Sequence, residues 1–260
     1  MERTIGRNSE KTTTKKEKEI FAEQADKTGP DGFSMPSNII APDLSTIELF
    51  DKRENLCTLL LIRHGESLGN AVRSFLGHTD LDLSDRGYAQ AKRTAQLLKA
   101  THIDKIYASD LKRAFNTGIE IGRLAGLAVE TDTELREIYV GEWEGRSVSD
   151  LELYYPDEFS EWRDSFHTFV APAGESVPHL RDRIFKRISQ IASQNIGKTI
   201  VLAFHAAAIR AFWAKISAIG KELINEEIGF PYNASVSVAY FDGDKFIPGE
   251  YSHMKHLTDI

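Results

Sequence analysis

Cys57-Thr58-Leu59-Leu60-Leu61-Ile62-Arg63-His64-Gly65-Glu66-Ser67 is the stretch on which the reading of this chain turns. Its first six residues form a short, nearly continuous apolar run, the pattern of a strand buried on both faces. Charge, a glycine and a hydroxyl follow at once, so the run ends in a turn that carries an arginine and a histidine. Cys57, the only cysteine, opens the run and reads as a small buried hydrophobe. One cysteine makes no intramolecular disulfide and no zinc cluster.

Outward from this strand, strands and helices alternate. Ser84 is placed to cap a helix whose Tyr88, Ala91, Ala95 and Leu98 recur at helical spacing. Asp104–Ala108 reads as a second strand, with Ser109 or Asp110 capping a helix that runs to about Leu124 and stops at Gly126. Ala128–Thr131 reads as a third strand, and residues 149–166 as looser helix. Ser176 caps a long helix with Val177, Leu180, Ile184, Ile188 and Ile191 on one face. Thr199–Phe204 is another apolar strand, followed directly by helical Ala206–Ala214. Near the end, Val236, Val238 and Tyr240 alternate with small residues and Asp242-Gly243 signals a two-residue hairpin turn. This alternation predicts one α/β domain with a mostly parallel sheet.

Residues 1–32 carry seven acids, seven bases and few apolar anchors, the composition of a tail that does not offset its ordering entropy. A single helical turn near 17–25 is conceivable there, and 33–55 reads as an arm lying on the domain. The folded domain is therefore expected to span 56–260, with 1–55 a partly disordered tail and arm. The 260 residues hold 32 Lys and Arg against 39 Asp and Glu, a net charge of −7. That balance argues against a generic nucleic-acid binder, which needs a basic face. No run long enough to span a membrane is present, no apolar stretch resembles a signal peptide, and cytoplasm is the expected address. Asn233-Ala234-Ser235 fits a glycosylation sequon, which without secretion is noise.

In open parallel sheets ligands bind beyond the carboxyl ends of the strands, where helix N-termini also point. Three strand-to-helix junctions carry Arg63 with His64, Arg113, and His205. If the three strands are neighbours, two arginines and two histidines converge on a site for a phosphate or similar oxyanion. The other histidines (His78, His102, His167, His179, His253 and His256) show no metal spacing, and Trp143 reads as packing.

With these residues in view the chain resembles the histidine phosphatase superfamily, the phosphoglycerate mutase-like fold. Leu61 to Ser67 with Asn70 resembles its signature. Asp80-Leu81-Asp82-Leu83-Ser84-Asp85-Arg86-Gly87, then Ser109 to Ala114 with Thr117, follow in the family's order. So do Leu135-Arg136-Glu137-Ile138 with Gly141-Glu142-Trp143-Glu144-Gly145, Gly174-Glu175-Ser176, and finally His205. The resemblance covers roughly 59–257 and implies a three-layer α/β/α sandwich.

It also implies a mechanism. His64 attacks phosphorus and becomes a phosphohistidine, which water then hydrolyses. Arg63, Arg113 and His205 clamp the non-bridging oxygens, and Asn70 adds a neutral donor. Ser67 and Ala206 belong to the expected substrate-binding set. Glu137 protonates the leaving oxygen and then helps deprotonate water. The two guanidinium groups are expected to lower the pKa of His64, and His205 to act as cation or donor beside the phosphate. No metal or other cofactor is implied.

Most relatives have glycine after the second histidine. Here Ala206 stands in that place, where its methyl either crowds the phosphate or is tolerated with its N–H still directed inward. The loop after Glu137 resembles the phosphatase branches, and only 36 residues separate Glu137 from Gly174, where mutases usually carry a longer insertion. The expected activity is therefore hydrolysis of a small phosphorylated metabolite. The alternatives are a bisphosphoglycerate-dependent phosphoglycerate mutase and a catalytically weak phosphate-binding member. Residues 147–172 are expected to form the pocket wall.

Overall fold

Near-continuous apolar runs make the centre of the sheet. In the computed structural model, which describes residues 54–217, 228–258 and 260, strands β1 (Cys57–Arg63) and β4 (Thr199–Phe204) are buried at every position. They lie side by side in parallel, Leu60 opposite Val201 and Ile62 opposite Ala203. β2 (Lys105–Ala108) pairs in parallel with the other side of β4, and β3 (Val129–Thr131) with β2. β5 (Val236–Phe241) pairs antiparallel with β1, and β6 (Phe246–Pro248) closes that edge, giving the order β3-β2-β4-β1-β5-β6. The expected tail, helical turn and most of the arm lie outside the described residues.

Because strand side chains alternate, one strand feeds two cores. Leu59 and Leu61 of β1 join Ile200, Leu202 and Phe204 in the larger cluster, while Leu60 and Ile62 turn to the opposite face with Val201 and Ile106. Each such fully buried Leu or Ile stabilises the fold by about 2 kcal/mol. Helices α1 (Leu68–Ala71), α2 (Asp85–Leu97), α3 (Lys112–Ala125), α4 (Val148–Tyr154), α5 (Pro156–Asp164), α6 (Val177–Ser193) and α7 (Ala206–Ile216) connect or cover the strands. α6 and α7 pack on the larger cluster, through Leu180, Ile184 and Ile188 among others. α2 and α3 cover the second face through Ala95 and Ile121. The architecture is the expected three-layer α/β/α sandwich with a mostly parallel sheet. Among the described residues no helix is long and apolar enough to cross a membrane.

Three local expectations need correction. The buried face of α2 runs through Gly87, Gln90, Ala91, Thr94 and Ala95 rather than through Tyr88, which is only half-buried and places its hydroxyl on Asp82 Oδ1 at 3.2 Å. Neither Ser109 nor Asp110 caps α3. Asp110 is held by Arg136, the helix starts at Lys112, and Lys112 N donates to Asp80 Oδ1 at 2.7 Å. Asp80, from a distant loop, thereby takes up a helix-terminal donor that no neighbouring side chain accepts. The β5–β6 connection is four residues long rather than two, because Asp242 Oδ1 accepts from both Asp244 N and Lys245 N.

Candidate active site

Parallel register puts the two key histidines together. Arg63 lies opposite Phe204, and His64 N donates to Phe204 O at 2.9 Å, so His64 and His205 leave the sheet side by side. Their ring centroids are 5.2 Å apart at 62°. On the far side of β4, Ser109 N donates to Ala203 O at 3.0 Å, which delivers Arg113 on the first turn of α3. One turn later Thr117 Oγ1 accepts from Gly65 N at 3.1 Å and donates to Arg113 O at 2.8 Å, tying that helix to the loop after β1. Arg63, His64, Asn70, Arg113, Glu137 and Ala206 all line one open cleft.

The tautomer of His64 follows from its neighbour. His64 Nδ1 lies 2.7 Å from Gly65 O, and a carbonyl only accepts, so Nδ1 carries the proton and Nε2 keeps its lone pair. Burial first, then Arg113 and Arg63, hold the pKa of His64 well below the usual histidine range. The direction is the one the arginine pair predicts, but desolvation is the larger cause. His205 is fully buried, and among the described residues neither ring nitrogen has a protein partner. Burial, Arg113 and His64 lower its pKa too, so in this structure it is neutral rather than a cation.

The cations are fixed before any ligand arrives. Arg113 donates from Nη1 to Thr79 O at 2.9 Å and from Nη2 to Gly77 O at 2.7 Å. Burial lowers its pKa to about 10, which leaves it charged at neutral pH. Arg63 Nη1 donates to Pro231 O at 2.7 Å. Glu137 sits across from them on the N-terminus of α7. Its Oε2 accepts from Ala207 N at 3.1 Å, and its Oε1 from Ala208 N at 3.2 Å and Ile138 N at 2.9 Å. Those bonds and both arginines favour the carboxylate, yet burial outweighs them and raises its pKa above the usual range. A carboxyl group with raised proton affinity is better suited to giving and taking a proton than an ordinary carboxylate.

Two members of the expected binding set separate. Ser67 is wholly buried outside the cleft lining. Its Oγ accepts from Asn70 N at 3.1 Å and donates to Asn70 Oδ1 at 3.0 Å in a capping box at the start of α1. Asn70 stays on the cleft, and because Oδ1 is engaged, its Nδ2 is left as a neutral donor. Ala206 is the first residue of α7, mostly buried on the cleft wall. Trp143 is fully buried in an aromatic cluster, as expected of packing. His78 Nε2 lies 2.9 Å from Glu137 O, beside the acid rather than on the cleft.

Sequence reading missed several residues. Asn233, half of the apparent sequon, is buried and donates from Nδ2 to His64 O at 3.1 Å and to Asn70 Oδ1 at 3.2 Å. Gln90 accepts from Glu66 N at 2.8 Å, and its signal was a polar residue on the buried face of α2. Val148 and Trp162 supply the expected wall from 147–172, but Arg73, Phe75 and Phe230 complete it from elsewhere. Among the described residues no group of three or more His, Cys, Asp and Glu side chains is arranged to hold a metal ion.

Comparison with known proteins adds independent findings. The family model described as histidine phosphatase superfamily (branch 1) matches residues 59–251. The chain is 34% identical over 161 residues to phosphoserine phosphatase 1 of Hydrogenobacter thermophilus, covering 62% of this chain and 76% of the relative. It is 33% identical over 215 residues to phosphoglycerate mutase-like protein 4 of Arabidopsis thaliana, covering 81% and 91%. Among solved structures, a phosphoserine phosphatase of Entamoeba histolytica in complex with phosphoserine superposes with a TM-score of 0.68 at 26% identity, covering 77% of this chain and 99% of the other.

Proposed function

Because the chain belongs to the histidine phosphatase superfamily, we propose that its cleft hydrolyses a small phosphomonoester through a phosphohistidine at His64, without a metal, in a domain spanning 56–260. The observation that carries this reading is the 2.7 Å bond from His64 Nδ1–H to Gly65 O, which leaves an unprotonated Nε2 in a cleft that Arg63 and Arg113 also line. The phosphatase names of its relatives support hydrolysis as the outcome.

In the first step Nε2 forms a bond to phosphorus as the ester P–O bond breaks, and the departing oxygen takes a proton from Glu137. Arg63 and Arg113 neutralise the non-bridging oxygens where charge concentrates in the transition state. Asn70 Nδ2 adds a neutral donor. A phosphate dianion beside His205 raises that ring's proton affinity, so binding favours the imidazolium, which donates from both ring nitrogens. In the second step water attacks phosphorus, the P–N bond breaks, and the water's proton returns to Glu137. Inorganic phosphate leaves with the enzyme restored.

The test is phosphate release from a panel of small phosphomonoesters at pH 5 to 8 in the presence of a chelator. His64→Ala is expected to lose at least about a thousandfold, as removal of a covalent nucleophile does, and wild-type enzyme quenched in base retains an acid-labile phosphoryl label. Full turnover by His64→Ala would overturn the mechanism. Isomerisation of 3-phosphoglycerate dependent on a bisphosphoglycerate primer, with no net phosphate release, would replace hydrolysis by the mutase reaction.

A further inference from the structure

Beyond its phosphate-binding end, the cleft is lined by apolar and aromatic side chains, Phe75, Val148, Trp162 and Phe230 among them. One charged group interrupts that wall. Arg73 lines the cleft, is exposed, and its guanidinium makes no hydrogen bond or ion pair among the described residues. The other two arginines on the cleft are anchored to backbone carbonyls at its phosphate end. The single acid on the cleft, Glu137, is engaged by three backbone N–H groups.

The backbone beneath Arg73 is also unusual. Its φ of +54° lies in the left-handed region, which a long L side chain seldom adopts and which therefore needs support from its surroundings. That support is on the page. Arg73 N donates to Asn70 O at 3.0 Å, Arg73 O accepts from Val148 N at 3.0 Å, and Phe75 N donates to Arg146 O at 2.8 Å. A residue in the left-handed region is thus pinned between α1 and α4 on the cleft lining, and among the described residues its guanidinium has no protein partner.

We propose that Arg73 determines specificity by binding a carboxylate on the alcohol half of the substrate, so that the cleft takes phosphorylated hydroxy acids in preference to uncharged phosphate esters. A guanidinium offers two parallel donors to a carboxylate, the strongest form of neutral-pH anion recognition a side chain makes. The apolar side chains beside it leave the carbon skeleton between the two anionic ends in contact with hydrocarbon. The proposal rests on the phosphomonoesterase reading above, and its test separates the two.

The test compares 3-phosphoglycerate with 4-nitrophenyl phosphate, which bears no carboxylate, in wild type, Arg73→Gly and Arg73→Lys. Glycine accepts the positive φ without strain, so its effect reports the lost guanidinium rather than a disturbed backbone. The ratio of kcat/KM for 3-phosphoglycerate to that for 4-nitrophenyl phosphate is expected to fall about ten- to a hundredfold in Arg73→Gly. The fall belongs mainly to KM and is partly restored in Arg73→Lys. An unchanged ratio would overturn the proposal. In parallel, calorimetry on His64→Ala measures 3-phosphoglycerate and inorganic phosphate with and without Arg73→Gly. Selective weakening of 3-phosphoglycerate there upholds the role of Arg73 even if no ester is hydrolysed. Equal weakening of both ligands rejects it even if hydrolysis is rapid.

Discussion

Asn233 connects two parts of the site through one amide, donating from Nδ2 to His64 O and to Asn70 Oδ1. Asn233→Ala removes both bonds at a buried position, which is expected to cost about 1–2 kcal/mol of stability and roughly tenfold in kcat/KM as Asn70 loses its orientation; urea unfolding and steady-state kinetics check both. Glu137 gives a prediction with a sign. Its folded pKa is raised, so the protonated acid persists above the usual carboxylate range and is lost as pH rises through that raised value. Turnover of alkyl phosphates, whose leaving oxygen needs a proton, should therefore fall on the alkaline side, and Glu137→Gln should lower it about 10²–10⁴-fold. Turnover of 4-nitrophenyl phosphate, with its stable leaving anion, should fall much less; equal losses for both esters would remove Glu137 from the acid role. Arg63, His64 and His205 were legible in sequence because each sits where a buried strand stops, and Arg113 because it opens the helix that follows β2. Asn233 was not, since it acts on a backbone carbonyl 169 positions away. Ser67 misled because a hydroxyl three residues before Asn70 serves a capping box as well as it serves a ligand.

At the level of elements, the loop after β1 and the first turn of α2 cross with no room for a side chain. A methyl on Gly87 would stand 1.9 Å from Glu66 O, and one on Gly65 would stand 2.4 Å from Gly87 O. Both obstacles are backbone, which does not rotate away. Gly87→Ala is expected to push the His64 loop outward, costing about 3 kcal/mol together with most of the activity. A midpoint within measurement error of wild type would show that the crossing relaxes freely. Ser84 holds the same crossing, accepting from Gly87 N at 3.0 Å and donating to Glu66 Oε1 at 2.7 Å. The strands and long helices were legible because burial on two faces or on one leaves a clear period in the sequence. What stayed hidden was the set of partners brought from afar. The acceptor for the first N–H of α3 is the distant Asp80, and the β5–β6 turn is lengthened by an Asp242 side chain that mimics backbone. Neither partner choice leaves a periodic trace.

Over the whole molecule, three histidines with lowered pKa tie stability to pH. His64 and His205 lie at the centre of the site, while His256 lies in the C-terminal segment. His256 Nε2 is 3.0 Å from Thr94 Oγ1 of α2 and 3.2 Å from Ala234 O, and Ala234 N in turn donates to the carbonyls of Arg63 and His64. The segment around His256 thus clamps the loop that carries His64. Burial lowers the pKa of His256 to about 4, against 6.5 for the free side chain. Between those values the unfolded chain binds a proton that the folded chain refuses, so stability falls as pH drops through 6.5 and stops falling below about 4. For His256 alone the loss amounts to about 2 kcal/mol by pH 5, and His64 and His205 add to it with the same sign. Glu137 opposes them, since its raised folded pKa makes protonation favour the folded state above 4.5. The unfolding free energy lost between pH 7.5 and pH 5, read from urea titrations, should be about 2 kcal/mol smaller in His256→Gln than in wild type. Inorganic phosphate should narrow the gap at pH 5, because protonating His205 strengthens phosphate binding and binding to the folded state adds stability. A His256→Gln variant with the full wild-type pH dependence would show that the C-terminal clamp does not titrate with the fold.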